Sequence, residues 1–296
     1  MEKFVKIITP YRNEEKYLSQ YLDSLVEGQK IFRNLKIILI DDFSNDKSFE
    51  IVKKYSINYN FFINERNKKK GKVNAINLGI KHLNKNDYVK FCDADDVLTI
   101  SFFQDLHKIL SDNIIVHDLV ISDENLNKIN YLRINPLILK GPKKSIQSGV
   151  IIPKACWIFE SKWLLPIPDG ILYEDFWFSY ILKKYDQKII YLKNKSYYLY
   201  RQNSNQTFGG VLNYNKKIDE WRNIRLIKSY TALKEIDSNF NFNALIYYYN
   251  LKLKFSFKKI IKLFFCSRNL FIKYSLEKII GKNIIIIKKL IWKLRV

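Results

Sequence analysis

Three short runs of β-branched and aromatic residues dominate the start of the chain: FVKIIT at 4–9, KIILI at 36–40 and DYVKFC at 87–92. Runs this apolar, bounded by turn residues, read as strands buried on both faces. Between them lie stretches of helical periodicity. Residues 14–27 place Tyr17, Leu18, Tyr21, Leu22 and Leu25 on one face, and Phe49, Val52 and Tyr55 follow N-cap candidates in SND at 44–46. A weaker strand-like run lies at 59–63. Strand and helix alternate, and that alternation predicts a parallel sheet in an α/β domain.

Beyond residue 100 the pattern is less regular. Strand-like pieces at 119–122 and 188–192 and a helical stretch at 174–184 are expected to extend the same domain. With 296 residues, 47% of them hydrophobic, the chain can bury one large core and carry an appendage. The composition shifts after residue 250: residues 251–296 hold 13 Lys and Arg and one acid, Glu277, which accounts for +12 of the whole chain's +22. Such an excess calls for an anionic partner: a nucleic acid, an anionic membrane or a phosphorylated small molecule.

Several classes are set aside by what the sequence lacks. Cys92, Cys156 and Cys266 are odd in number and far apart, which indicates neither a disulfide framework nor a zinc site and suits a reducing cytoplasm. No stretch of about 18 uncharged apolar residues spans a bilayer, and MEKFVKIITPYRNEE does not read as a signal peptide. The expectation is a soluble or peripheral protein. With no arginine and aromatic recognition module in view, no specific nucleic acid is expected.

The chemistry gathers where the strands end, and in a parallel sheet ligands bind outside the carboxyl ends of strands. In CDADD, Asp93 and Asp95 point to the same side if the extended backbone continues through Ala94. Two carboxylates so placed can hold a hard divalent cation, and through it a diphosphate. Aspartates there also cap helices or form turns. The motif has company: IDDFSND places Asp41 and Asp42 after the second strand, and TPYRNEE follows the first. Pro10 is expected to end that strand and free residues 11–14 to turn toward a ligand. Further on, YEDFWFSY opens a helix with Glu174 and Asp175.

Taken in order, TPYRNEE, IDDFSND, GKVNAINLG, FCDADD, YEDFWFSY and YYLYRQNSNQT resemble the motif series of the family 2 glycosyltransferases, over roughly the first 210 residues. The resemblance implies a GT-A fold: an α/β, Rossmann-like, mostly parallel mixed sheet flanked by helices, here with a basic helical C-terminal extension. It implies a GT-A domain at 1–215, with a nucleotide-binding part at 1–100 and an acceptor-binding part at 101–215, and an extension at 216–296. It implies transfer of a sugar, with inversion, from a nucleotide sugar, most commonly a UDP-sugar, to a hydroxyl of a glycan or lipid-linked acceptor. Bacterial surface polysaccharide or lipooligosaccharide synthesis is the expected setting.

By position, the family's base and ribose contacts fall on Thr9, Pro10, Tyr11, Glu14, Asp41 and Asp42, with Asp42 at the nucleobase. Lys70, Lys72 and Asn77 belong to the loop and helix facing the donor, and Arg201 is placed to meet phosphate. Asp95 takes the metal, Mg²⁺ or Mn²⁺, and Asp93 the metal or the ribose. Asp175 is the catalytic base and Glu174 orients the acceptor. Three departures stand out. Arg12 occupies the place of an aromatic residue, Ile76 replaces an arginine, and Asn203 stands where some relatives have histidine. Trp157 and Trp163 read either as core or as sugar-stacking residues, and His82, His107 and His117 as structural or surface. The alternative reading is a non-catalytic protein that binds nucleotide sugars or nucleic acid.

In the tail, Leu253, Phe257, Ile260, Ile261 and Phe264 recur at helical spacing beside Lys254, Lys258 and Lys262, and residues 284–296 repeat the character. That composition suits an interfacial helix on an anionic membrane, here the inner face of the cytoplasmic membrane. It equally suits a helix packed on the catalytic domain with its lysines outward.

Overall fold

The computed structural model describes residues 3–134, 151–184, 189–202, 216–237, 242–254, 256–267, 270–272 and 274–275. The chain opens with β1 (Val5–Tyr11), α1 (Leu18–Ile31), β2 (Leu35–Asp41), α2 (Ser48–Asn58), β3 (Phe62–Arg66), α3 (Lys72–Ile80) and β4 (Tyr88–Phe91). There follow β5 (Val97–Leu98), α4 (Ile100–Ile109), β6 (Ile114–Ser122), β7 (Lys128–Leu132), β8 (Trp157–Glu160), α5 (Glu174–Lys184) and β9 (Ile189–Arg201). The described part closes with α6 (Lys216–Ile236), α7 (Asn243–Leu253) and α8 (Phe257–Cys266). The expected boundary between residues 215 and 216 and the second basic stretch at 284–296 involve residues outside the described ones.

Nine described strands share one sheet, in the order β3-β2-β1-β4-β8-β6-β9-β5, with β7 beside β6. The first four run parallel. Beyond them β8 is antiparallel to β4 and β6, while β9 runs parallel to β6. This is the mixed α/β sheet flanked by helices that the motifs imply. Every residue of β1 is buried, as a central parallel strand with covered faces requires.

Several boundaries differ from the sequence reading for identifiable reasons. β1 does not stop before Pro10: it runs to Tyr11, paired with Asp41. The β4 pairing ends at Ile8 and Phe91, with Cys92 N–H donating to Ile8 O. Alternation aims the N–H that Pro10 lacks toward that same side, past the last pair, where no ladder bond is lost. Helix α1 begins at Leu18 rather than residue 14, because residues 13–15 are pinned to the next loop. Asn13 adopts φ 56°, and the amides of Asn13, Glu14 and Glu15 donate to Ser44 Oγ, Ser48 Oγ and Asp46 Oδ2. The helix expected to run through 251–265 is two helices. Ser256 accepts from Lys259 N–H and starts α8 afresh.

Helix α3 lies on β1 and β2, and the closeness depends on one residue: a Cβ at Gly79 would stand 2.6 Å from Ile8 Cγ2 in the core. At the other end of α3, Gly71 caps the helix at φ 133°, outside the range of L side chains. Gly79→Ala is expected to lower the unfolding free energy by about 1–3 kcal/mol in urea titrations, because neither β1 nor α3 can retreat.

Candidate active site

The strand ends converge on one rim. Asp41 ends β2 fully buried, its carboxylate accepting from Ser44 N–H at 3.0 Å and Arg66 Nε at 2.8 Å. Asp42 accepts from Asn67 Nδ2 at 2.9 Å and Gly71 N–H at 2.7 Å, which ties the β2 loop to the start of α3. Tyr11 is buried and donates from its hydroxyl to Asn64. Thr9 is fully buried against the Tyr21 hydroxyl, and Pro10 is buried in β1. Lys70 is exposed. Asn77 spends both ends of its amide on the backbone of Ile167, at 2.8 Å each, which clamps the segment leading to α5.

At the end of β4, Asp93 sits between two lysines. Lys154 Nζ reaches both its oxygens, at 2.8 and 2.6 Å, and Lys72 Nζ lies 2.8 Å from Oδ1. Both lysines also face Glu174 Oε1, at 3.2 Å from Lys72 and 3.9 Å from Lys154. Burial opposes ionisation of Asp93, but the two lysines outweigh it and hold the carboxyl well below its usual range. Burial likewise pulls the lysines down and the carboxylates pull them back above the ordinary lysine value.

Lys154 was not legible as a site residue, since nothing in IIPKACW marks it. Its position is set by a buried anchor. Lys90, fully buried on β4, donates from Nζ to His117 Nε2 at 2.7 Å and to the carbonyl of Ala155. That bond holds the short 3-10 turn of Lys154–Cys156 in place. His117 donates from Nδ1 to Asp118 O, and burial, then Lys90, keeps it neutral. Of these two tryptophans, Trp157 is fully buried in the core and Trp163 packs half-buried against the core's edge.

The backbone of Lys154 does a second job, donating its N–H to Asp175 Oδ1 at 2.8 Å. One residue therefore connects Asp93 at the β4 rim with Asp175 in the first turn of α5. The neighbours Glu174 and Asp175 are driven apart: burial raises both, but Lys72 and Lys154 bring Glu174 below its usual value. Asp175 is pushed up to about 6, by burial against Lys154 and with Glu174 adding to it. Such divergence is how one site assigns a fixed charge and a proton acceptor.

Arg201 is buried behind the aspartates rather than facing outward. Its Nε donates to Asp95 O at 2.6 Å, Nη2 to Gln20 Oε1 at 2.7 Å and Nη1 to Glu124 O, while its backbone N–H donates to Asp96 at 2.8 Å. It fixes the turn that presents Asp95. Helix α6 brings Arg225, also unmarked in the sequence reading, into the field of Glu174. The Arg225 guanidinium lies 4.4 Å from the Trp221 ring centre and feels the charge of Glu174.

Carboxylate oxygen is the donor chemistry of a hard divalent cation. Burial, then Asp93, raises Asp95; burial, then Asp95 and Asp93, raises Glu14 to about 8. The charge of Asp95 and Asp93, which helps to drive a proton onto Glu14, is what a cation there would relieve. Among the described residues no group of three or more His, Cys, Asp or Glu forms a cage. Asp93 already spends both oxygens on Lys154 and Lys72, and the carboxylate chemistry of Asp95 suits a hard cation such as Mg²⁺ or Mn²⁺.

Residues 6–162, more than half of the chain, match the glycosyl transferase family 2. The chain belongs to that family. A Haemophilus influenzae protein named "Uncharacterized glycosyltransferase" is 30% identical over 203 residues, covering 63% of this chain and 75% of its own. The minor teichoic acid biosynthesis protein GgaB of Bacillus subtilis is 32% identical over 101 residues, 34% of this chain and 11% of GgaB. The match likewise spans only 14% of glycosyltransferase GlyA and 35% of glycosyltransferase GlyG, both of Streptococcus pneumoniae. Among solved structures, S. aureus TarS 1-349 in complex with UDP-GlcNAc superposes with a TM-score of 0.55 at 17% identity, covering 92% of this chain and 81% of that one. Mannosyltransferase PcManGT from Pyrobaculum calidifontis, in complex with GDP-Man and Mn²⁺, gives 0.53 at 14% identity, over 94% and 76%. The chain shares the fold of these two structures.

The folded state holds a proton on Glu14 that the unfolded chain releases between its ordinary 4.5 and about 8. This contribution to stability is fully present below the unfolded value and lost as pH rises through the folded one. Glu14→Gln is therefore expected to raise the unfolding free energy above pH 8 by on the order of 1–3 kcal/mol and to flatten the pH dependence of stability between those values.

Proposed function

We propose that the protein is an inverting, divalent-metal-dependent glycosyltransferase. It moves a sugar from a nucleotide donor, a UDP-sugar, to a hydroxyl of a glycan or lipid-linked acceptor in bacterial surface polysaccharide or lipooligosaccharide synthesis. It works in the cytoplasm, peripheral to the inner face of the cytoplasmic membrane. The reading rests above all on the link through Lys154, which joins Asp93 on the nucleotide side to Asp175 on the acceptor side. Family membership and the UDP-GlcNAc and GDP-Man named with the similar structures support the donor class.

In this reading residues 1–100 hold the nucleotide, with Asp41, Asp42, Tyr11 and Glu14 on the base and ribose side and Lys70 and Lys72 toward the phosphates. Thr9, Pro10 and Asn77 act from behind as scaffold, and Arg201 through the turn it braces. Residues 101–215 receive the acceptor, and 216–296 form the extension. Asp175 accepts the hydroxyl proton as the oxygen attacks the anomeric carbon from the face opposite the leaving diphosphate, which inverts the configuration. Glu174 stays ionised and keeps Lys72 in place. When bound at Asp95 and Asp93, the metal supplies Lewis-acid neutralisation of the diphosphate. Lys72 adds a second positive charge from its own side.

Removing the base should cost about 10²- to 10⁴-fold in turnover: Asp175→Asn is expected to lose transfer but keep its thermal shift with donor nucleotide. Substantial residual turnover in D175N would sink the assignment. For the wild type, kcat/KM is expected to rise with pH through about 6, as Asp175 loses its proton, and D175N should lack that rise.

The donor site is tested without an acceptor. Thermal shifts are measured with UDP, GDP, CMP and dTDP, each with Mn²⁺, Mg²⁺ or chelator, since a ligand that binds only the folded state raises its apparent stability. A metal-dependent shift with UDP that Asp95→Ala abolishes is the expected outcome. No shift with any of the four would overturn the donor assignment.

A further inference from the structure

Helix α8 is turned inside out for a surface helix. Its only fully buried side chain is Leu263, and Lys259 lies against α7, with Nζ 3.3 Å from Asn250 Oδ1. Ile260 packs half-buried on the core beside Leu263, but four apolar side chains look outward: Phe257 is 70% exposed, Ile261 43%, Phe264 39%, its ring edge-on to Phe271, and Phe265 80%. At the α-helical period of about 100° per residue these four fall on one stripe roughly a quarter-turn wide, opposite Leu263. Lys258 and Lys262, both exposed, border that stripe, and Ile272 adds a 52% exposed side chain in the next turn. A helix that only packed on the domain would put the phenylalanines inside and the lysines out.

We propose that this face of α8 inserts into the interface of an anionic lipid bilayer, with Phe257, Ile261, Phe264 and Phe265 among the acyl chains and Lys254, Lys258 and Lys262 at the headgroups. Charge selects this occupant. Residues 251–296 carry a net +12 with Glu277 as the sole acid, so a second copy seated on the same face would bring two such excesses together. Four side chains on a ten-residue helix also fall short of the roughly 800 Å² per partner that a stable protein interface buries. An interfacial helix needs only an apolar face and a basic rim, and both are present.

The proposal narrows the membrane-peripheral reading given above to one helix face, and its test involves no sugar transfer, so the two fail separately. The full chain is floated with phosphatidylcholine vesicles and with vesicles of phosphatidylcholine and phosphatidylglycerol. Binding is expected on the anionic vesicles, weakening as salt rises. Phe257→Ser with Phe265→Ser is expected to cut partitioning by about tenfold for each phenylalanine, and Lys258→Gln with Lys262→Gln by about fivefold for each lysine. Both double variants should keep the wild-type melting temperature and nucleotide thermal shift. Undiminished vesicle binding by F257S/F265S would overturn the proposal. So would a lowered melting temperature in that variant, which would mean the chain itself covers the face, or a sedimentation shift from dimer to monomer, which would mean a second copy does.

Discussion

The ion pairs of Asp93 with Lys72 and Lys154 tie together four pieces of chain far apart in sequence: the end of β4, the start of α3, the 3-10 turn before β8 and the first turn of α5. Lys154 and Glu174 are almost completely buried. In such a setting a charge is tolerable only if its partners are in place, and removing one member of a buried pair typically costs about 3–5 kcal/mol. The network therefore constrains the fold as much as the chemistry. Helix α3 has to reach the rim, which Gly79 permits by letting it lie close on β1, and the turn has to bring Lys154 beneath Asp93.

That turn is held from three sides. Lys90 binds the carbonyl of Ala155, Asp175 accepts from the Lys154 amide, and Ser179 on α5 bonds both N–H and C=O of Ile152. Lys90 is the unusual member, a lysine without exposed surface whose pKa burial lowers to about 8. Its bonding partners are a neutral imidazole and a carbonyl, so its charge is spread over dipoles rather than cancelled by a carboxylate. A position that expensive to desolvate specifies one arrangement of β4, β6 and the turn.

The basic C-terminal helices divide their work. Helix α6 is bolted to the acid-bearing segment: Ser229 accepts from Leu172 N–H at 3.0 Å, Tyr230 meets Phe176 edge-on at 4.6 Å, and Asp237 accepts from Tyr180. Its Arg225 adds positive potential toward Glu174. Helix α8 turns its apolar side outward. Among the described residues no helix is long and apolar enough to cross a membrane.

By itself the sequence determined the alternation of strands and helices, the parallel first half of the sheet and the strand ends that carry Asp41, Asp42, Asp93 and Asp95. Hydrophobic periodicity and turn chemistry are local, so they survive in a linear reading, as does the order of the motifs. The tertiary structure decided that Arg201 braces the aspartate turn from behind, that Asn77 clamps Ile167, that Lys154 bridges Asp93 and Asp175, and that α8 buries Leu263 rather than its phenylalanines. Each of these depends on which distant segments the sheet order brings within a few ångströms. Local pattern carries no record of that, because charge pairing and burial are properties of neighbours in space.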